Sequence, residues 1–484
     1  MSSSDSAAKF IEDYTSYRNL PPLAGLASFA GAVRSGLSVE ESVHRLKRHH
    51  YALKCLHRIF ISRIASEPVY ELKMVFSYHA YLCAEHVSAF RARVGEMREP
   101  PLGLDKVPDA NLEIFFDEIL SAPTMEELIL GAYEVAVPAL LNGLRRHVDE
   151  THVLADQPSR RLCRLAALEI EEIAAYGRSA VQALAGAGER AAAQPFLARL
   201  RDALAAAGGV DGSEPESAKK AQRVYSAKGF AYDKVPQRDV RFPDPYNMGV
   251  NAEAFLYDET KPADAKVLMM FYKRLREIDV PEMMSSILTE TDKKPWEYYR
   301  DMTRQLWDEA RHAMMGEVGF VSLGLDWPKL VMVNFTWSRG LNTQLTPKER
   351  HAVLYFIEQG LMPKTGKRHE WEVATMSDNK LSATFQDFDW ADEVLHARVG
   401  RDWYVADMPS PAEALHYGDQ CWTKVMLDWK SWKNEGLTQH RNWWPELYLA
   451  YCEKQGKKPD SNVLNFAETY EARRADLKTV VPME

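Results

Sequence analysis

The sequence predicts an all-α protein, and two observations support this fold class. Apolar residues recur with the spacing of a helix face along most of the 484 residues. Few stretches alternate apolar and polar residues as a half-buried strand does. The predicted helices cover residues 38–66, 68–98, 124–148, 158–206, 263–289, 295–321, 346–361 and 378–404, with further helices after 411.

Capping patterns mark the start of three of these helices. Glu41 follows Ser38 at the spacing of a capping box, and Glu413 follows Ser410 at the same spacing. Glu349 belongs to a third pattern of this kind, in which proline occupies the first helical position. These three glutamates are therefore interpreted as helix caps.

The length of the chain predicts two domains, because 484 residues exceed one ordinary hydrophobic core. Residues 207–262 contain five prolines and a cluster of glycines without helical periodicity, which is typical of a connector. The aromatic stretch within this segment indicates that part of it packs against a domain. The predicted domains are residues 1–206 and 263–484, the second with a C-terminal helical extension.

Composition narrows the class of partner and compartment. A net charge of -9 argues against a general nucleic-acid surface. The five cysteines are scattered without a C-x-x-C pair, which favours a reducing cytoplasm. Neither a basic segment followed by an apolar core at the N-terminus nor an apolar run of membrane-spanning length is present, so we expect a cytoplasmic protein that does not span a membrane.

Four Glu-x-x-His quartets occur in the chain. Two of them, which end at His44 and His416, begin with glutamates already assigned to caps. The other two, Glu309 to His312 and Glu393 to His396, lie in the middle of predicted helices. Residues three apart project from the same face of a helix, so each pair can bind neighbouring positions around a metal ion.

Antiparallel geometry supplies two further carboxylates. A turn near residues 292–294 reflects Glu309 onto Glu277, which lies 32 residues upstream. Glu282 is the alternative, although beside Pro281 it is expected to be an exposed acid. Glu358 lies 35 residues before Glu393 among apolar residues, where an acid is costly unless it is paired or bound to metal.

Four carboxylates and two imidazoles suit iron(II), manganese(II) or a mixture of the two better than a closed structural zinc site. With this ligand set, residues 263–404 resemble the ferritin-like superfamily of di-iron carboxylate proteins. The resemblance implies a four-helix bundle that holds two metal ions, which are reduced and then activate oxygen. It also implies that Asp308 or Arg311 supports a ligand from outside the metal site.

A shift of 224 residues relates the two halves of the chain. It places Glu85 on Glu309, Glu134 on Glu358 and Glu169 on Glu393. The same shift places no histidine where His312 and His396 stand. The first half is therefore predicted to be a degenerate ferritin-like bundle without a complete metal site, in which His79 and His86 are core or surface residues. The whole fold is predicted as two such bundles in tandem.

This ligand set and the resemblance together predict a non-haem di-iron oxidase or oxygenase that uses O2 to oxidise a small organic substrate. The predicted ligands, which would also be the catalytic residues, are Glu277, Glu309, His312, Glu358, Glu393 and His396. The alternative is a metal-binding, metal-storage or structural protein without an organic substrate. The substrate, the electron donor and the choice between iron and manganese stay open, as does assembly into a homodimer.

Overall fold

The computed structural model describes residues 3–98, 103–426 and 429–470. Helices make up 69% of the structure, about twice the usual share in globular proteins. No strand occurs among the described residues. The all-α prediction is therefore confirmed, whereas the tandem of two ferritin-like bundles stays a prediction.

Nine α-helices lie in the described part of the first half of the chain. They are α1 (Ser3–Asp13), α2 (Phe29–Ala32), α3 (Val39–Ile61), α4 (Tyr70–Glu96), α5 (Ala110–Leu120), α6 (Met125–Ile129), α7 (Val137–Glu150), α8 (Gln157–Leu184) and α9 (Ala187–Ala206). A π-helical segment, Leu130–Ala136, joins α6 to α7.

The second half supplies the remaining described helices. They are α10 (Ala252–Leu256), α11 (Ala263–Arg276), α12 (Asp279–Glu290), α13 (Trp296–Ser322), α14 (Trp327–Leu330), α15 (Thr336–Gln344), α16 (Pro347–Gly360), α17 (Lys367–Met376), α18 (Lys380–Trp403), α19 (Pro411–Met426), α20 (Trp429–Asn434), α21 (Trp444–Lys454) and α22 (Ser461–Leu464).

Two of the predicted helices are interrupted. The predicted helix 263–289 divides into α11 and α12, because Pro281 has no N–H group to donate to the carbonyl of Glu277. The predicted helix 158–206 divides into α8 and α9 at Gly186, which precedes α9 in an extended conformation. The short helices α5, α15 and α17 were not predicted, since each spans too few turns for a clear periodic signal.

The predicted capping boxes of Glu41 and Glu349 are confirmed, and that of Glu413 is confirmed for one of its two hydrogen bonds. The Ser38 backbone N–H donates to Glu41 and the Glu41 N–H donates to the Ser38 hydroxyl, at 2.8 and 3.2 Å. Thr346 and Glu349 form the reciprocal capping box of α16. The Glu413 N–H donates to the Ser410 hydroxyl at the start of α19.

The chain forms two compact units. The first comprises residues 1–59 and 82–231, and the second comprises residues 60–81 and 232–484. The predicted connector, 207–262, is thus shared between them, with its last 31 residues in the second unit. The predicted domain boundaries stay a prediction. Residues 471–484 of the predicted C-terminal extension lie outside the described residues.

Helix packing in the second unit depends on a close crossing of α11 and α13. A Cβ atom at Gly316 would overlap the backbone of Phe271 and Leu275, so glycine lets these helices approach at that point. The crossing brings Glu277, at the C-terminal end of α11, towards the middle of α13. It thereby sets the distance between two of the predicted ligand helices.

Glu282 differs from its expected exposed position. Its side chain is completely buried on α12 and pairs with Lys73 at 2.9 Å and with Arg238 at 3.0 Å. The Ser338 hydroxyl donates a further hydrogen bond to it at 2.7 Å. The expectation of an exposed acid is wrong because two buried cations compensate the carboxylate.

One stretch among the described residues, Met125–Glu150, is long and apolar enough to cross a membrane by length and composition. Within its most apolar window, 72% is buried inside the structure, as in the core helix of a soluble protein. The predicted cytoplasmic location stays a prediction.

We predict that Glu253 contributes a pH-dependent part of the stability. Burial raises the pKa of this carboxyl, but Arg276 and Lys273 outweigh that effect and hold the pKa at about 2. The contribution is therefore present above the ordinary pKa and is lost as the pH falls towards 2. Urea unfolding should show that the stability difference between wild type and Glu253→Gln shrinks by about 2 kcal/mol from pH 6 to pH 3.

The exposed Glu259 offers a matched control in the same segment. Glu259→Gln should change the unfolding free energy little at either pH. An equal destabilisation by Glu253→Gln at pH 6 and pH 3 would contradict the proposed ionisation.

Candidate metal centre

All six predicted ligands converge in the interior of the second unit. Glu277 follows α11, α13 carries Glu309 and His312, α16 carries Glu358, and α18 carries Glu393 and His396. Five of these side chains are buried, and Glu277 is partly buried with 15% of its side chain exposed. The structure therefore brings together the helices that the antiparallel argument selected, although α17 lies in the connection between α16 and α18.

Potential ligand atoms fall into two groups, each with all its atoms within 4.8 Å of one another. The first group contains Glu277, His312, Asp389 and Glu393. The second group contains Glu309, Glu358, Glu393 and His396. Glu393 belongs to both groups, so it could contribute a ligand atom to either one. A buried cluster that can hold metal is thus present, and Glu282 is in neither group.

Asp389 is the one member of these two groups that the sequence argument missed. It lies four residues before Glu393 and seven before His396, on the same face of α18. Its side chain is completely buried, and its Oδ1 lies 3.4 Å from His312 Nδ1. The signal was therefore present in the sequence as an (i, i+4, i+7) pattern.

Both histidines turn Nδ1 towards the carboxylates. His312 Nδ1 lies 3.4 Å from Glu277 and 3.5 Å from Glu309. His396 Nδ1 lies 3.2 Å from Glu309 and 3.5 Å from Glu393. The two ring centroids are 5.9 Å apart, so one imidazole faces each group of ligands.

The Nε2 atoms face aspartates that cross between the two motifs. His312 Nε2 lies 3.2 Å from Asp392, which precedes Glu393. His396 Nε2 lies 3.5 Å from Asp308, which precedes Glu309. Arg311 contacts both aspartates, and its distance to Asp392 is 2.8 Å. Asp308 and Arg311 are the two residues predicted to support a ligand from outside the metal site. Asp308 faces the ring of His396, as aspartates do around metal-bound histidines, and Arg311 contacts Asp308 and Asp392.

Two buried cations enter the same cluster. Lys367, at the start of α17, lies 2.8 Å from Glu393, 2.9 Å from Asp389 and 3.6 Å from Glu277. Arg274 lies 3.0 Å from Glu277 and also contacts Asp389. Sequence reasoning missed both cations, because a lysine or arginine is normally a surface residue and neither belongs to a ligand motif.

The electrostatics of the cluster favour protonated histidines in the absence of metal. Burial lowers the pKa of His312, but the facing carboxylates of Asp392, Glu277 and Glu309 outweigh that effect and raise the pKa to about 10. The pKa of His396 is also raised well above its ordinary value, because Asp308 and Glu309 outweigh the effect of burial. Metal binding at Nδ1 must displace these protons.

The carboxyls of Glu358 and Glu393 face each other, and their pKa values shift in opposite directions. Burial and the adjacent Glu393 raise the pKa of Glu358 well above its ordinary value. Burial also acts to raise the pKa of Glu393, but Lys367 holds it well below that value. A proton between the two groups therefore belongs to Glu358, which accepts a 3.1 Å hydrogen bond from Gln305 through its other oxygen.

Several inward-facing atoms of the cluster have no hydrogen-bond partner. They are Glu277 Oε2, Glu358 Oε2, Asp389 Oδ2, Glu393 Oε2, His312 Nδ1 and His396 Nδ1. A buried polar atom without a partner costs roughly 1–3 kcal/mol. Metal ions bound at these oxygens and nitrogens would satisfy them, so the residues fit an oxygen-rich metal site.

An apolar cavity of about 120 Å³ opens beside the cluster. Its lining includes four carboxylates of the cluster, those of Glu277, Glu309, Glu358 and Glu393. Its apolar lining includes Val280, Trp337, Phe356, Ile357, Leu361 and Trp422. Other charged residues of the lining include Glu253, Lys273 and Arg276. The carboxylates therefore border a space that can hold a small organic molecule.

The acids related by the 224-residue shift have a different environment. Glu85 and Glu134 are exposed, and Glu134 pairs with Arg190 at 2.7 Å. Glu169 is half-buried and lies 2.7 Å from His86. The three acids are not members of any potential ligand group among the described residues. His79 and His86 are both buried.

We predict that Lys367 competes with a metal ion for Glu277, Asp389 and Glu393. The Lys367→Met variant removes a positive charge within hydrogen-bonding distance of two of these carboxylates. A divalent cation should then bind about tenfold more tightly, or more, at the group that contains His312. Calorimetric titration with Mn²⁺ measures the two affinities.

Lys364→Met is the matched control, because Lys364 is exposed three residues earlier. It should leave both affinities unchanged. Weaker Mn²⁺ binding by a folded Lys367→Met variant would show instead that the lysine holds the ligands in place.

No family model, curated protein or solved structure matches this chain. The resemblance to di-iron carboxylate proteins therefore depends on this chain's own residues. It is carried by the two Glu-x-x-His motifs that end at His312 and His396, together with Glu277 and Glu358.

Proposed function

We propose that the chain is a non-haem di-iron oxidase or oxygenase that uses O2 to oxidise a small organic substrate. One observation carries this proposal: two ligand groups that share Glu393 border an apolar cavity. We further propose that the segments with the ligands, α11 to α13, α16 and α18, form a ferritin-like bundle. Packing of α13 against both α11 and α18, and of α16 against α18, supports that arrangement.

The ligand chemistry favours two first-row divalent ions. Each group offers carboxylate oxygens and a single imidazole, which suits iron(II) and also admits manganese(II). Glu277, His312 and Asp389 would hold one ion, while Glu309, Glu358 and His396 would hold the other. Glu393 would contact both. When bound and reduced, such a pair supplies electrons to O2.

The protein residues then have three tasks. Asp308 and Asp392 fix the imidazole rings through Nε2, so that Nδ1 of each ring faces the ions. Glu358, with its raised pKa, holds a proton next to the cavity until metal binds. The apolar wall, which includes Phe356 and Leu361, excludes water from the reacting groups.

The reaction class has a defined electron balance. O2 takes up four electrons, two from the organic substrate and two from an external reductant of the flavoprotein or iron–sulfur class. Two protons from solvent accompany the external electrons. The same balance holds whether one oxygen atom enters the product or both leave as water.

Metal storage is the second candidate, and the cavity argues against it. A storage site needs a path for ions and a surface on which mineral grows. Here the carboxylates open towards a wall that contains Trp337, Phe356 and Trp422, which offers no ligand for a growing mineral. The apolar lining instead suits a substrate with an apolar body, and the same cavity is also lined by Lys273 and Arg276.

We predict about two iron ions per chain in protein purified from iron-supplemented cells. His312→Ala and His396→Ala should each lose at least one of these ions, because each removes the only imidazole of one ligand group. Elemental analysis of the purified proteins measures the content.

His416→Ala is the matched control, because His416 also ends a Glu-x-x-His quartet but is exposed on α19. It should retain the wild-type iron content. Wild-type protein that contains almost no metal after anaerobic loading would refute the site.

A second experiment separates the enzyme from a storage protein. About twenty equivalents of iron(II) are added to the protein under air, and the ferric iron retained after desalting is measured. We expect about two retained ions per chain, because the described site offers two ligand groups. Retention of most of the added iron as ferric mineral would favour storage, and the His396→Ala variant shows how much retention depends on the site.

A further inference from the structure

Three side chains in the first unit form a separate buried cluster. His49 lies on α3, His147 lies near the end of α7, and Cys163 lies on α8. Each residue is completely buried, and their potential ligand atoms all lie within 4.8 Å of one another. Helix packing alone brings them together, since 98 residues separate the two histidines in the sequence.

The ring nitrogens of this cluster have almost no partners. Neither Nδ1 nor Nε2 of His49 has a hydrogen-bond partner, although the ring packs against Phe90 at a centroid distance of 5.9 Å. Nδ1 of His147 is also without one. Two buried imidazoles that were purely structural would be expected to pair these atoms, because each orphaned polar atom costs roughly 1–3 kcal/mol.

The surroundings of His147 define which nitrogen is available. The Ser42 hydroxyl donates to Asp156 at 2.7 Å, so its oxygen can only accept from His147 Nε2, which lies 3.4 Å away. Nε2 therefore carries the proton, and Nδ1 carries the lone pair. This arrangement of a hydroxyl and a carboxylate behind an imidazole is the one that orients metal-binding histidines.

We propose that His49, His147 and Cys163 form a second metal site, which binds one copper(I) ion. Two imidazoles and one thiolate are soft or borderline ligands, which suit copper(I). A structural zinc site normally has four ligands, and the described cluster offers three.

Charge balance in this interior favours a monovalent ion. The Cys163 thiolate and copper(I) cancel, whereas zinc(II) would leave one net positive charge. That charge would lie close to Arg45 and Arg48, both of which act electrostatically on His49. Asp156 and Asp211, the carboxylates that act electrostatically on His147, already have partners. Asp156 pairs with Arg93 at 2.7 Å, and Asp211 lies 3.3 Å from Arg146.

Space for the His49 ring comes from a glycine. A Cβ atom at Gly143 on α7 would lie 3.2 Å from His49 Cε1, which is tighter than an ordinary contact. The backbone of α7 therefore approaches the imidazole closely and holds it beside His147, at a centroid distance of 5.4 Å. The ligands are positioned before any ion binds.

The test is a copper(I) titration of the full-length protein under argon, with bathocuproine disulfonate as the competing chelator. Wild-type protein should retain one copper(I) per chain, and Cys163→Ser should weaken binding at least about a hundredfold. X-ray absorption of the wild-type copper form should show one sulfur and two nitrogen ligands. This measurement keeps the proposal testable if the variant fails to fold.

Two variants complete the design. Cys83→Ser is the matched control, because Cys83 is equally buried in the same unit and outside the cluster. His312→Ala should also retain copper(I), which separates this site from the proposed iron centre. Equal binding by wild type and Cys163→Ser, no retained copper(I), or preferential retention of zinc(II) would each overturn the proposal.

Discussion

Burial of five carboxylates in one interior cluster is the constraint on which the second unit depends. Glu309, Glu358, Asp389 and Glu393 are nearly inaccessible, and Glu277 adjoins them at the end of α11. Uncompensated charges of this kind would cost far more than the fold can supply. Lys367 and Arg274 offset two of the five negative charges. The raised pKa values of His312, His396 and Glu358 favour protons on these three groups, which offset the other three charges. Folding without metal and binding of metal thus use the same ligand atoms.

A second layer of ion pairs surrounds the cluster and fixes its geometry. Asp308 and Asp392 hold the imidazoles, and Arg311 joins the two aspartates. On the other side, Glu370 pairs with Lys273 and lies 3.5 Å from Arg274. Because each charged ligand is held by another charged group, a substitution in the outer layer acts on the metal site through position. Such preorganisation is what a reactive site on rigid helices requires.

The sequence could predict the ligands whose geometry is local or mirrored across a turn. Glu309 and His312 follow from helical spacing, and Glu277 follows from reflection across the turn before α13. The burial of Lys367 beside the cluster could not be predicted, since it depends on α17, which is too short to give a clear periodic signal in the sequence. The burial of Glu282 was missed because its compensating cations, Lys73 and Arg238, are more than forty residues away in sequence. Long-range charge pairing, unlike spacing, cannot be read from one helix.

Ligand chemistry also explains how one chain could hold two different metals without exchange between them. The carboxylate cluster is rich in oxygen ligands, which bind soft monovalent ions weakly. Divalent iron or manganese would therefore bind there more tightly than copper(I). At Cys163 the preference is the opposite, because a thiolate is a soft ligand. Burial raises the pKa of the thiol, so the thiolate forms only when a cation replaces the proton. A second positive charge would then face Arg45 and Arg48 without a free carboxylate to offset it. Ligand softness and net charge would therefore both favour divalent iron or manganese at the carboxylate cluster, and both favour copper(I) at Cys163.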